Sequence, residues 1–221
     1  LSWQHKYNSY TTQKTSVFSS FLNSYEPRPF NILKEETNGI GIRTRLLQNT
    51  TLFKNELNWN IGIELFNDAN SYQTYKNLYN TVPSGSELIQ GELLSNFKER
   101  RTYFNLFFDS KYTFSKKTHY TLGLNLNKTS YHLKDNLINN IPNFSGNYSF
   151  KTMISPKIGI VYKNSLSTML YGSISHGFSP PTLEETLLPD GLINSTIEPE
   201  SGWNYEIGSR GQLFKNTVYF D

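Results

Sequence analysis

Apolar and polar residues alternate along this chain with a period of two. Leu57, Trp59, Ile61, Ile63 and Leu65 fall on one side of an extended chain, with Glu56, Asn58, Asn60, Gly62 and Glu64 on the other. Further on, Tyr120, Leu122, Leu124 and Leu126 oppose Thr121, Gly123, Asn125 and Asn127. Near the end, Trp203, Tyr205 and Ile207 oppose Asn204, Glu206, Gly208 and Arg210. Ile40, Ile42, Thr44, Leu46 and Ile154, Pro156, Ile158, Ile160, Tyr162 repeat the pattern less cleanly. Successive side chains of a strand point to opposite faces, so each segment predicts a strand with one apolar and one polar face. Helical spacing is hard to find anywhere.

The connections alternate as well. Short turns are expected near residues 11–14, 49–54, 115–117, 163–165 and 215–216. Longer polar connections, rich in Pro, Gly and Asn, are expected at 26–37, 67–100, 134–147 and 179–202. Short, long, short, long predicts about ten antiparallel strands whose hairpins differ at the two ends. That is the layout of a transmembrane β-barrel, with tight turns on one side, long loops on the other and about 9–11 residues crossing the bilayer.

Composition sharpens this choice. The chain has 221 residues, no cysteine, 15% aromatic and only 18% charged residues, with a mean hydropathy of −0.54. So many rings exclude a disordered chain, while a soluble domain normally carries about 25% charged residues. Asn, Ser and Thr fill the polar rows where bulk water would favour Lys and Glu, which suits a wet lumen or a plug inside a barrel. A net charge of +3 without a basic run gives nucleic-acid binding no support. Lack of cysteine removes disulfides and thiolate chemistry. Residues 1–6 lack the order of a signal peptide. The clean apolar run 158–162 is far below the roughly 20 residues a spanning helix needs.

Residues 171–185 (YGSISHGFSPPTLEE) and 197–211 (IEPESGWNYEIGSRG) carry a resemblance. They resemble the barrel of TonB-dependent outer-membrane receptors, nearest the ferric-siderophore and ferric-citrate type. In that family a Ser-x-Gly-Phe-x-x-Pro element ends one strand, and Pro-Glu, five residues, Glu-x-Gly opens the next. Here these are residues 175–181 and 199–208. Gly177, Phe178, Pro181, Pro199, Glu200, Trp203, Glu206 and Gly208 are read as architectural, with Trp203 and Tyr205 as anchors at headgroup level. Proline gives the ladder no donor and glycine frees the backbone, so Gly177 and Pro180-Pro181 stop the strand.

The resemblance implies an all-β, antiparallel transmembrane barrel of 22 strands around an N-terminal plug, in the outer membrane of a Gram-negative bacterium. Residues 1–221 then form part of that barrel, with the plug and remaining strands absent from this sequence. It implies a receptor and transporter, not an enzyme, importing a scarce ligand such as a ferric siderophore or similar iron chelate. Its partners would be that ligand, outer-membrane lipid and, through the plug, the TonB energy-transducing complex; no cofactor is expected. Such a piece, with two unpaired edges, is not expected to fold alone in plain buffer.

Candidate ligand-binding residues are Arg43, Arg45, Arg100, Arg101, His132, Tyr72, Tyr75 and Tyr79. Guanidinium groups bind carboxylates bidentately, which suits an anionic chelate. Most of the basic residues are expected near the outer strand ends, and Arg43 and Arg45 on the lumen face. Their alternative is pairing with Glu56 or Glu64 on the adjacent strand, or with acidic lipopolysaccharide. The three tyrosines would stack on a chelator or pack the 67–100 loop. His5, His119, His132 and His176 show no metal-ligand spacing. Glu35-Glu36 and Glu184-Glu185 read as loop charges, and sequons at Asn49, Asn143 and Asn194 as chance in an Asn-rich chain. Two rival readings are a ten-stranded outer-membrane hydrolase using Asp and His at the loop end, and a secreted β-sandwich that binds glycans.

Overall fold

The computed structural model describes residues 1–79, 89–137, 143–165, 167–182, 185, 194, 196–213 and 217–221. These form eleven strands: β1 (Ser2–Lys6), β2 (Thr11–Pro27), β3 (Asn31–Leu52), β4 (Asn55–Asn77), β5 (Gln90–Thr113), β6 (Thr118–Asp135), β7 (Gly146–Ser149), β8 (Met153–Lys163), β9 (Thr168–Ser179), β10 (Glu200–Leu213) and β11 (Val218–Phe220). All belong to one antiparallel meander, β1-β2-β3-β4-β5-β6-β8-β9-β10-β11, with β7 paired to β6. β7 meets the 130–133 part of β6 and β8 meets the 118–127 part. The eleven segments therefore fill ten positions in the sheet, as the alternation predicts. A single sheet overturns the sandwich reading. Among the described residues it is not closed, since β1 pairs only with β2 and β11 only with β10.

Side-chain chemistry builds the tight-turn end. The Asn8 carboxamide accepts the backbone N–H of Tyr10 and Thr11, both at 2.8 Å. Ser115 Oγ accepts the N–H of Thr118, and Ser165 Oγ that of Thr168, each at 3.1 Å. Short polar side chains mimic a turn in this way. The β3–β4 hairpin instead turns on Phe53 and Lys54, with φ of 50° and 67°. A two-residue turn needs this left-handed conformation to match the strand twist, at roughly 1 kcal/mol or more per non-glycine residue.

At the other end the expected loops shrink. Residues 28–30 alone join β2 to β3, closed by a 2.8 Å bond from Arg28 N to the Asn31 carbonyl. β4 continues to Asn77 and β5 starts at Gln90, so most of 67–100 is strand; of the connection, 80–88 lie outside the described residues. The expected loops at 26–37 and 67–100 are thus corrected to strand. The physical reason lies in the strands' outward rows. Leu57 to Leu65 is apolar, but Asn67, Ala69, Ser71 and Gln73 continue the same row, and polar residues on both faces erase the alternation. Connections at 134–147 and 179–202 agree with the strand bounds, the first turn sits at 7–10, and the expected 215–216 turn lies outside the described residues.

The two faces contrast in burial. The outer face carries exposed Ile40, Ile42, Ile61, Ile63, Leu65, Phe104, Phe108, Leu122, Leu124, Ile158 and Ile160. Towards the tight-turn end it carries a belt of rings, with Trp59 6.4 Å from Phe108 and Phe114 5.9 Å from Tyr120. The inner face holds buried polar residues, among them Glu64, Asp68, Asn70, Thr74, Glu99, Asn127 and Thr129. A polar inside and an apolar outside is the reverse of a soluble domain and suits lipid. On the inner face, large rings lie over glycines of the neighbouring strand: Phe18 and Phe66 over Gly41, and Tyr171 over Gly208.

A methyl group at Gly41 would overlap both covering rings, whereas a Cβ at Gly177 meets nothing within 4 Å. Gly41→Val in the intact protein should therefore cost about 1–3 kcal/mol by overpacking, while Gly177→Ala should stay within about 0.5 kcal/mol. Unfolding midpoints of the two variants in detergent check this.

Candidate functional site

The longest strands, β3 to β6, carry their inner rows well past the lipid-type band, and these rows converge. Antiparallel register sets Arg43 opposite Glu64, Asp68 opposite Arg101, Asn70 opposite Glu99, Tyr72 opposite Phe97 and Arg101 opposite Tyr131. Each of these pairs shares the inner face.

Three layers result. Lowest, Glu64 takes the Arg43 guanidinium on one carboxylate oxygen and the Tyr103 hydroxyl on the other, at 2.5 Å for Tyr103. Above it, Arg101 Nε donates to both oxygens of buried Asp68, at 3.1 and 3.3 Å, and a second nitrogen closes the pair. Tyr131 stands opposite Arg101 on the next strand, and its hydroxyl donates to the Pro181 carbonyl at 2.9 Å. That bond ties the β9 end of the family-type motif to β6. Highest, Leu33, Tyr72, Phe97 and Leu133 form a small apolar core, with Phe144 and Tyr148 against it. Tyr72 stands opposite Glu35, and Glu99 accepts from Asn70 at 2.8 Å. A buried charge needs a partner, and losing the cation of such a pair costs about 3–5 kcal/mol; Asp68 depends on Arg101 in that sense.

The sequence-derived candidates divide between the faces. Arg101 and Tyr72 lie on the inner face of the upper layers, but Tyr72 is only 4% exposed and serves as wall. Arg43 and Arg45 are inner-face residues in mid-strand, level with Ile61 and Leu65, not at the outer end; Arg43 takes the Glu64 partner foreseen for it. Arg100 and His132 sit opposite each other on the outer face, where His132 shares a 2.8 Å bond with Asn147. Adjacent strand residues face opposite ways, so Arg100 and Arg101 do not act together. Tyr75 is on the outer face with the Lys34 ammonium 4.8 Å from its ring, and Tyr79 follows β4. Sequence reasoning missed Asp68, Glu99, Tyr103 and Tyr131, because their strands were read as loop or their rows carried no apolar signal; register alone reveals them.

In the architectural motif, β9 ends at Ser179 and β10 opens at Glu200, directly after Pro199. Gly177 pairs with Gly202, Phe178 with Ser201 and Glu206 with Ser173. Trp203 and Tyr205 are exposed on the outer face, with Trp203 edge-on to His176 at 5.1 Å. Arg210 pairs with Asp221. Glu184 lies outside the described residues. No group of three or more potential metal ligands occurs among the described residues.

Glu99 stands above the lipid-type band, next to polar Lys98 and Arg100 on the opposite face. Burial pushes its carboxyl up to about 7, against the opposing pull of the Asn70 amide and the Arg101 guanidinium. A raised carboxyl keeps in the folded chain a proton that the unfolded chain has lost. Its contribution is therefore complete below about 4.5 and lost as pH rises through about 7. Glu99→Gln in the intact protein should flatten that slope and raise the unfolding midpoint at pH 8 but not at pH 4.5, read from melts across pH.

The described fold is similar to solved iron-chelate receptors. The unliganded ferric citrate transporter FecA gives a TM-score of 0.73 at 16% identity, over 95% of this chain and 31% of that one. The siderophore receptor PiuA from Acinetobacter baumannii gives 0.75 at 13%, over 97% and 37%. The ferripyoverdine receptor of the outer membrane of Pseudomonas aeruginosa, bound to ferripyoverdine, gives 0.73 at 14%, over 97% and 30%. The chain thus spans about a third of the length of these structures. No curated protein matches the sequence. The profile of the family described as TonB dependent receptor-like, beta-barrel, matches residues 1–221 from end to end. An outward apolar band, an inner polar face and that full-length match together place the chain in the TonB-dependent receptor β-barrel family, proteins of the Gram-negative outer membrane.

Proposed function

We propose that the intact protein is an active outer-membrane importer of a scarce anionic ligand, a ferric siderophore or a similar iron chelate such as ferric citrate. In this reading residues 1–221 are part of a larger barrel, of 22 strands by family resemblance, that surrounds a plug. Energy delivered by TonB through the plug admits the ligand. The family is one of receptors, so a hydrolase is not favoured. What carries the ligand class is the upper inner wall, where a guanidinium, phenolic hydroxyls and buried carboxylates share one face beneath the loop end. Support also comes from neighbours of known structure that are receptors for ferric citrate and siderophores.

Within that wall Arg101 is the group we assign to the ligand's carboxylates or catecholate oxygens. Its side chain keeps 26% exposure despite the Asp68 pair, and a guanidinium has donors for both. Arg43 and Arg45, lower on the same face, line the path or meet the plug. Tyr79, exposed after β4, is the tyrosine we assign to stack on a chelator. Arg100, His132 and Tyr75 lie on the opposite face and take no part.

The test uses the intact receptor in an iron-limited strain deleted for its own copy. Arg101→Gln with Asp68→Asn removes both charges and leaves neither orphaned; uptake of the cognate ferric chelate should fall roughly tenfold, the worth of one charge-assisted bond. Deleting TonB should abolish uptake altogether. Uptake that persists without TonB would sink the importer reading; unchanged uptake by the double variant would remove only Arg101 from the site.

A further inference from the structure

Above the lipid-type band, the outer face of β5 and β6 sets two lysines directly opposite each other and gathers further basic side chains beside them. Lys98 faces Lys134 and Arg100 faces His132, and Lys128 stands opposite Phe104 at the edge of the apolar row. All five are exposed. Opposed residues on one face of an antiparallel pair have their Cβ atoms only about 4.5–5.5 Å apart, and like charges there are destabilising. Among the described residues, no carboxylate of these strands stands beside the cluster on this face. The outer rows of β4, β5, β6 and β7 at this level are otherwise Asn67, Ala69, Ser71, Gln73, Asn96, Thr102, Ser130, Asn147 and Ser149, with no carboxylate. Glu36 lies two strands away on β3, and Glu92 is nearer the loop end beside Lys76 at 3.7 Å.

The height of the cluster identifies what relieves it. With a rise of about 3.4 Å per residue and a tilt of about 45°, Arg100 and His132 stand roughly 10 Å above the Phe104–Lys128 edge. Lys98 and Lys134 stand roughly 14 Å above it by the same geometry. A phospholipid headgroup layer is only about 5–7 Å deep, so cations stacked over such a height call for a taller anionic headgroup. We propose that this patch is a binding site for the multiply phosphorylated glycolipid of the outer leaflet. Its acyl chains lie against Phe104, Leu124 and Leu126, and its phosphates bridge Lys98, Arg100, Lys128 and Lys134, with the His132 ring beside them. The site is independent of the imported ligand, because it faces away from the lumen.

Native mass spectrometry of the intact receptor in neutral detergent tests this, with bisphosphorylated lipid A, fully dephosphorylated lipid A and inorganic phosphate as probes. Lipid A should bind the wild type. It should bind the variant carrying Lys98→Gln, Arg100→Gln and Lys134→Gln at least roughly tenfold more weakly, since each cation near an anionic surface contributes substantially. Arg100→Gln alone, which leaves the fold least disturbed, should bind about threefold more weakly on the same basis. Lys116→Gln with Lys117→Gln, at the tight-turn end, should match the wild type. Three results would each overturn the site: wild-type affinity in the triple and single variants, equal binding of dephosphorylated lipid A, or complete displacement of lipid A by millimolar inorganic phosphate, which would mark a free-anion site.

Discussion

Every backbone N–H and C=O that enters hydrocarbon must find a partner inside the protein, since an unpaired group there costs several kcal/mol. The meander meets that demand with unbroken ladders: β3 and β4 pair through twenty-two successive rungs, from Asn31 with Lys76 to Leu52 with Asn55. Once the ladder is fixed, the pleat assigns every side chain to lipid or lumen, and nothing else about the chain is free. Ile61, Ile63 and Leu65 must be apolar because they face out, and Gly62 and Glu64 are polar or small because they do not. The low charge count and the wealth of Asn and Thr follow from the same division.

Register then does for the inner wall what a loop would do in a soluble binding protein. Asp68 and Arg101 are thirty-three residues apart, yet the ladder sets them face to face, and Tyr131 joins from the next strand. The site is therefore built on sheet, which holds side chains more rigidly than loops do. The rings laid over Gly41 and Gly208 serve the same end, filling the space where the backbone approaches closely.

The membrane-crossing part of the strands was legible in the sequence, and the upper part was not, for one physical reason. Alternation is visible only while one face meets lipid. From Leu57 to Leu65 it does; from Asn67 to Asn77 both faces are polar, and a strand of twenty-three residues reads as a short strand and a loop. The same blindness explains the candidate residues. Arg101 could be picked for its chemistry, but its separation from Arg100 and its bond to Asp68 depend on a register that no single segment reveals. The architectural motif was legible because its signal is chemical: Pro180, Pro181 and Pro199 cannot donate to a ladder, and β9 and β10 are bounded by them. Tyr131, which holds that motif through the Pro181 carbonyl, carries no such mark.

The central claim is that the outer face changes medium partway along each long strand while the inner face does not. Spin labels placed singly along β4 of the intact receptor in bilayers test it most directly, read by collision with oxygen and with a water-soluble nickel chelate. The account predicts labels at Ile61, Ile63 and Leu65 accessible to oxygen alone, at Ser71 and Gln73 accessible to nickel, and at Gly62 and Glu64 shielded from lipid. Nickel access at Ile61, Ile63 and Leu65 equal to that at Ser71 and Gln73 would contradict it.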